Sequence, residues 1–210
     1  MKNLKKLAVT AGLVFGLAVA TPAFAATNYT VKSGDTVAKI ATANGISQAS
    51  LEEINTITDI YNLPLGAVLV IPSVKQSLVI DKAYSLLGTT PYVFGGTTPY
   101  VGMDCSGYAQ WVYNKAVGIS LPRTASDMWS RKQVGTTVTA TQANLQPGDL
   151  VFFAHTDPDR PDLLITHMGI YVGDGNFIEA SSTYNNVVVK PLFDGGFYTQ
   201  HLYGAKRIVN

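Results

Sequence analysis

Gly173-Asp174-Gly175 separates two β-rich runs, His167 to Val172 and Asn176 to Ala180, and this arrangement reads as an antiparallel hairpin. More strand-like runs surround it: Asp149 to Phe153 after a Pro147-Gly148 turn, Val187 to Val189, and Ala205 to Val209. Upstream the spacing is helical. Val79, Ile80, Ala83, Leu86 and Leu87 recur at helical intervals before a stop at Gly88. Tyr108, Ala109, Val112, Ala116 and Val117 follow Cys105 at i+3, i+4, i+7, i+11 and i+12, and the pattern ends near Gly118. Helices first and strands later make residues 78–210 an α+β unit with an antiparallel sheet.

Residues 28–72 have a different order. Asn28 to Lys32 is β-rich, and Ser33 to Thr36 turns the chain, with Asp35 as the expected N-cap of a helix carrying Val37, Ile40 and Ala41. Asn44-Gly45 ends that helix. Ser47 or Ser50 caps a second one through Leu51 and Ile54 to Asn55, and Pro64-Leu65-Gly66 leads into Val68 to Ile71. The unit is therefore strand, helix, helix, strand, followed by a short linker at residues 73–77.

The first residues read as a leader. Lys2, Lys5 and Lys6 precede an apolar run from Leu7 to Ala20, and Ala23-Phe24-Ala25 places small residues before a cut, so residues 1–25 have the layout of a secretory signal peptide. The run is shorter than the roughly 20 residues that span a bilayer. No Cys follows the cut to carry a lipid, so no membrane anchor is expected after cleavage. Of the 15 Lys and Arg, three lie in the leader, which leaves 12 basic against 14 acidic side chains, a net charge of −2. That balance gives no electrostatic case for nucleic acid, whose binding needs many phosphate-neutralising cations.

One cysteine in an exported chain forms no intramolecular disulfide and no Cys-based zinc site. Placed in the first turn of a helix, Cys105 has the dipole and free backbone N–H groups that favour a thiolate nucleophile. From position alone it is equally a small apolar residue heading the buried stripe. A base decides between the two. Of His155, His167 and His201, only His167 opens a strand that can aim an imidazole at a helix terminus. His155 lies in a polar loop with Asp157, Asp159, Arg160 and Asp162, and His201 in a turn-like context, so surface and structural roles are expected for them. No His pair has HExxH spacing, so no metal and no cofactor is expected.

A histidine base needs a third group to orient it. Glu179, twelve positions on and set among Phe177, Ile178 and Ala180, is the candidate. A two-residue Asp174-Gly175 turn would put it on the opposite face from His167, so a three-residue loop or a β-bulge is predicted.

Residues 28–72 resemble a LysM domain in Tyr29-Thr30-Val31-Lys32-Ser33-Gly34-Asp35-Thr36, Leu51-Glu52-Glu53-Ile54-Asn55 and Gly66-Ala67-Val68-Leu69-Val70-Ile71-Pro72. That resemblance implies binding of N-acetylglucosamine-containing glycans such as peptidoglycan. Residues 78–210 resemble the NlpC/P60 family of papain-like cell-wall cysteine peptidases. The match runs through Pro91-Tyr92-Val93-Phe94-Gly95-Gly96, Asp104-Cys105-Ser106-Gly107, Leu121-Pro122-Arg123-Thr124, Pro147 to Phe153 and His167 to Gly173. It implies Cys105 as nucleophile, His167 as base, Tyr92 beside the thiolate, and Asp104 and Ser106 near the substrate.

At position 179 the family more often has His, Asn or Gln; the carboxylate here would orient the imidazole and stabilise its charged form. The implied activity is hydrolysis of a γ-D-glutamyl to diamino acid bond in a peptidoglycan stem peptide by a secreted, wall-associated enzyme. An amidase cutting between sugar and peptide, an acyl transferase and an inactive wall binder are the alternatives. The insertion Ala154 to Thr166, just before His167, is expected to wall the cleft.

Overall fold

A computed structural model describes residues 27–210, so the leader read at residues 1–25 lies outside the described residues. The chain opens with β1 (Thr27–Thr30), α1 (Val37–Asn44), α2 (Gln48–Ile54) and β2 (Val68–Ile71), and β1 pairs antiparallel with β2. Val31, Val37, Ile40, Ala41, Ile46, Leu51, Leu69 and Ile71 form their shared core. Ser47 caps α2 by accepting the Ser50 N–H at 2.9 Å.

The cap of α1 differs from expectation: Thr36 holds it, accepting the Lys39 N–H at 3.2 Å, and Asp35 does not. The Asp35 carboxylate turns back instead, accepting the Lys32 N–H at 2.8 Å and the Tyr29 hydroxyl at 2.7 Å. Both bonds fall on Oδ2 and hold the carboxylate toward the strand, away from the first turn of α1.

The stretch read as a linker is helical. Ser73 caps α3 (Val74–Tyr84) in a reciprocal box with Gln76, so residues 73–77 are the cap and first turn of a helix that begins before Leu78. α3 carries the contact with α2 and its cap: the Ser50 and Ser77 hydroxyls bond each other, and Ser47 Oγ donates to Asp81 Oδ1 at 2.7 Å. Ile54 of α2 belongs to the core of the larger unit. The small unit is seated directly on the large one.

The remaining elements are β3 (Thr97–Thr98), β4 (Gly102–Met103), α4 (Cys105–Val117), α5 (Ala125–Ser130), β5 (Thr136–Val138), β6 (Leu150–Ala154), β7 (Ile165–Gly173), β8 (Asn176–Ser181), β9 (Asn186–Pro191), α6 (Phe197–His201) and β10 (Leu202–Arg207). Six strands form one sheet in the order β5-β10-β6-β7-β8-β9, every pair antiparallel. Alternation divides its side chains between two cores. Leu150, Phe152, Met168, Ile170 and Ile178 pack with Val79, Tyr108 and Val112 of α3 and α4, while Val151, Phe153, Tyr171 and Phe177 pack with Leu145 and Leu192 on the other face.

The hairpin of β7 and β8 contains the predicted bulge. Tyr171 pairs with Phe177, but Gly173 pairs with Asn176, leaving Val172 as the extra residue. Gly173 also brings the backbone close to the small unit. Its φ is +111°, and a Cβ there would stand 2.6 Å from the Ile54 carbonyl oxygen. Beside it, Thr56 Oγ1 donates to Asp174 Oδ2 at 2.8 Å.

Candidate active site

Cys105 is the first residue of α4, and its own N–H precedes the helical hydrogen-bond ladder. Asp104 caps the helix: Oδ1 accepts the Gly107 N–H at 2.7 Å and Oδ2 accepts the Gly95 N–H at 3.0 Å. Glycine is needed at position 107 because a Cβ would lie 2.2 Å from the Gly96 carbonyl oxygen. The loop of Gly95 and Gly96 is thereby pressed against the start of α4. Cys105 is buried with 7% exposure at the edge of a cleft of about 570 Å³ lined also by Tyr92, Phe94, Arg123, Asp157 and Arg160.

Asp104 and Ser106 line that cleft, but a third residue occupies their polar atoms. Arg123 grips Asp104 with both terminal guanidinium nitrogens, at 3.0 and 2.6 Å, and donates to Ser106 Oγ at 2.9 Å. Ser106 Oγ in turn donates to Asp104 Oδ1 at 3.1 Å. Burial pushes the Asp104 carboxyl upward, but the Arg123 guanidinium and the Gly107 N–H outweigh it and hold the group below its ordinary value. In the sequence, Arg123 stands out only as part of Leu121-Pro122-Arg123-Thr124. Its pairing with Asp104, 19 positions away, is set by the fold.

The bulge brings His167 and Glu179 to one face. Glu179 is wholly buried; Oε2 meets His167 Nε2, and Oε1 accepts the Tyr198 hydroxyl at 2.6 Å. With Nε2 engaged, Nδ1 is the nitrogen left for Cys105. Phe153 stacks on the imidazole with ring centroids 5.8 Å apart. Burial disfavours the imidazolium, yet its interactions with Cys105 and then Glu179 prevail and lift His167 to about 10. Burial and then the Cys105 charge push the Tyr92 phenol up to about 12, so it stays a hydroxyl donor.

The three histidines part company as expected from their contexts. His155 is exposed, and its N–H closes the loop onto the Leu164 carbonyl at 3.1 Å. His201 stacks on Phe197 within α6, its Nδ1 2.8 Å from the Phe197 carbonyl oxygen. None of the three histidines lines the cleft itself, though His167 adjoins Cys105, which does. The insertion does: Asp157, Arg160 and Leu163 form one wall, with the Arg160 guanidinium 5.7 Å from the Phe94 ring centroid. Among the described residues, no group of three or more His, Cys, Asp or Glu converges to hold a metal. Tyr198 was missed by sequence reasoning, since nothing local marks it as the partner of an acid 19 positions away.

Comparison with known proteins bears on this arrangement. The pattern of the NlpC/P60 family matches residues 88–207, more than half of the chain, and that of the LysM domain matches residues 29–72. A gamma-DL-glutamyl hydrolase of Bacillus subtilis (strain 168) is 38% identical over 139 residues, covering 66% of this chain and 31% of its own length. A probable endopeptidase of Escherichia coli (strain K12), YafL, is 40% identical over 119 residues, 57% of this chain and 45% of its own. The chain thus spans less than half the length of these relatives. Among solved structures, an NLP/P60 protein of Staphylococcus aureus subsp. aureus Mu50, described as similar to lipoprotein, superposes with a TM-score of 0.54 at 35% identity, covering 65% of this chain and 42% of that one.

Proposed function

The chain belongs to the NlpC/P60 family and carries a LysM domain, and from that premise we propose that it is an exported, wall-associated peptidoglycan endopeptidase. The bond proposed is the γ-D-glutamyl to diamino acid amide of the stem peptide, and LysM grips the N-acetylglucosamine-containing glycan. The observation that carries this reading is a thiol at a helix N-terminus, at the edge of a cleft, next to an imidazole backed by a buried carboxylate. The name of the Bacillus subtilis relative, a gamma-DL-glutamyl hydrolase, supports the choice of bond.

The chemistry follows from the geometry. The Cys105 thiolate attacks the amide carbon and forms a C–S bond, and the carbonyl oxygen takes up negative charge facing the free Cys105 N–H and the Tyr92 hydroxyl. The C–N bond breaks as His167 Nδ1 gives its proton to the leaving amine. The neutral imidazole then takes a proton from water as that water hydrolyses the thioester. Glu179 holds the ring in position and stabilises its charged form. Asp104, Ser106 and Arg123 fix the helix start and shape the adjoining wall.

The mass spectrum of purified peptidoglycan after incubation with the full-length protein tests this reading. New peptides that begin at the diamino acid, absent with Cys105→Ala, are the expected result. Stems released whole from the sugar would identify an amidase, amide exchange a transferase, and no products a wall-binding protein.

A further inference from the structure

Glu179 is a wholly buried carboxylate with both oxygens occupied, one by His167 Nε2 and the other by the Tyr198 hydroxyl at 2.6 Å. A buried carboxylate facing an imidazole alone would concentrate its charge on that one partner and leave its second oxygen unsatisfied. Tyr198 supplies the second donor from α6, an element outside the cleft wall. Its ring is fixed by Phe177 and Phe153, at centroid distances of 4.9 and 5.1 Å.

We propose that Tyr198 is a positioning residue of the active site: its hydroxyl holds Glu179 and draws off part of its charge, which sets the orientation of His167 and the ease with which it releases its proton. The proposal rests on the roles proposed above for His167 and Glu179. The groups that bear on this chain of contacts come from each neighbouring element. His167 and Tyr198 face Glu179; Glu179, Ser181 and the Tyr184 hydroxyl face Tyr198; and Cys105 faces His167 from α4. β9 places the uncharged Val188 opposite Glu179. Burial and the Glu179 charge both push the Tyr198 phenol upward, so it remains a donor throughout the working range.

The test follows the His167 imidazole titration by NMR in the full-length protein, with kcat and KM measured on purified peptidoglycan fragments. Wild type is compared with Tyr198→Phe, Glu179→Gln and the double variant. Phenylalanine keeps the ring packing, and thermal unfolding checks that the fold persists. Glu179→Gln is expected to lower the His167 titration. Tyr198→Phe is expected to raise it and to cut kcat about tenfold with KM little changed, in line with loss of a hydrogen bond to a charged group. In the Glu179→Gln background, Tyr198→Phe is expected to add no further shift.

A Tyr198→Phe variant with unchanged titration and kcat, or with the same shift in both backgrounds, would overturn the proposal. A His167 titration unmoved by Glu179→Gln would overturn the underlying His167–Glu179 pairing as well, whereas a shift with Glu179→Gln alone removes only the role of Tyr198.

Discussion

His167 Nε2 meets Oε2 of the buried Glu179 across a hairpin in which Val172 is displaced from the pairing of β7 with β8. Without that extra residue, alternation would send the two side chains to opposite faces of the sheet. The turn therefore determines the protonation chemistry of a residue six positions before it. Loss of activity is expected as pH rises through about 10, where the imidazolium loses its proton. Glu179→Gln should move that alkaline limb of kcat/KM to lower pH, and a limb that stays in place would show that the carboxylate does not hold the proton. For stability the sign is the same: a raised folded value gives a contribution that is full below the unfolded value near 6.5 and is lost as pH rises through about 10.

Arg123 anchors the start of α4 through Asp104 and Ser106. Its side chain is 37% exposed, so solvent screens part of the interaction, and Arg123→Ala is expected to cost about 1–2 kcal/mol. Asp104 has its pKa held down, chiefly against burial, so its contribution is present above its unfolded value and is lost as pH falls through the folded one. Removing Arg123 should make acid unfolding begin at higher pH. Urea unfolding followed between pH 3 and 7 checks both, and equal midpoints across that range would count against the pair.

Gly173→Ala places a methyl group against the Ile54 carbonyl in a left-handed backbone conformation. The expected cost is about 1–3 kcal/mol from strain alone. Differential scanning calorimetry of the wild type should show one transition, because Ile54 is shared with the larger core; the variant should melt lower and in two resolved steps. A single unshifted peak in both would show that the contact contributes little.

Shortening the loop between Thr156 and Thr166 removes Asp157, Arg160 and Leu163 from the cleft wall while leaving Cys105 and His167 in place. Substrate preference should change, with KM rising for stem peptides that the wild type favours. The cleavage rates of a panel of synthetic stem peptides provide the measure, and an unaltered order of preference would assign the loop no part in recognition.

Local chemistry was readable in the sequence wherever neighbours in the chain decide the outcome. The stripe beginning at Cys105, the glycine stops at Gly45 and Gly118 and the need for a bulge after His167 all follow from spacing and alternation. The start of α3 was legible in principle, since Ser73 and Gln76 have capping-box spacing, but Val74 is exposed and no apolar stripe announces the helix before Leu78. Asp35 turns its carboxylate back to Tyr29 and Lys32, and the next residue, Thr36, takes the cap. Arg123 and Tyr198 each serve a carboxylate 19 positions away, and only folding brings those pairs together.

The hydroxyl contact of Ser50 with Ser77, together with the seat of Ile54 against Gly173, leaves no slack between the two units. Under the proposed function, a molecule docked on one sugar does not sweep its surroundings as a tethered enzyme would. It samples a single offset from its foothold, and each further cut waits for the foothold to be released. Tighter adhesion would then slow the work, and the useful grip is one that lets go on the timescale of a cut.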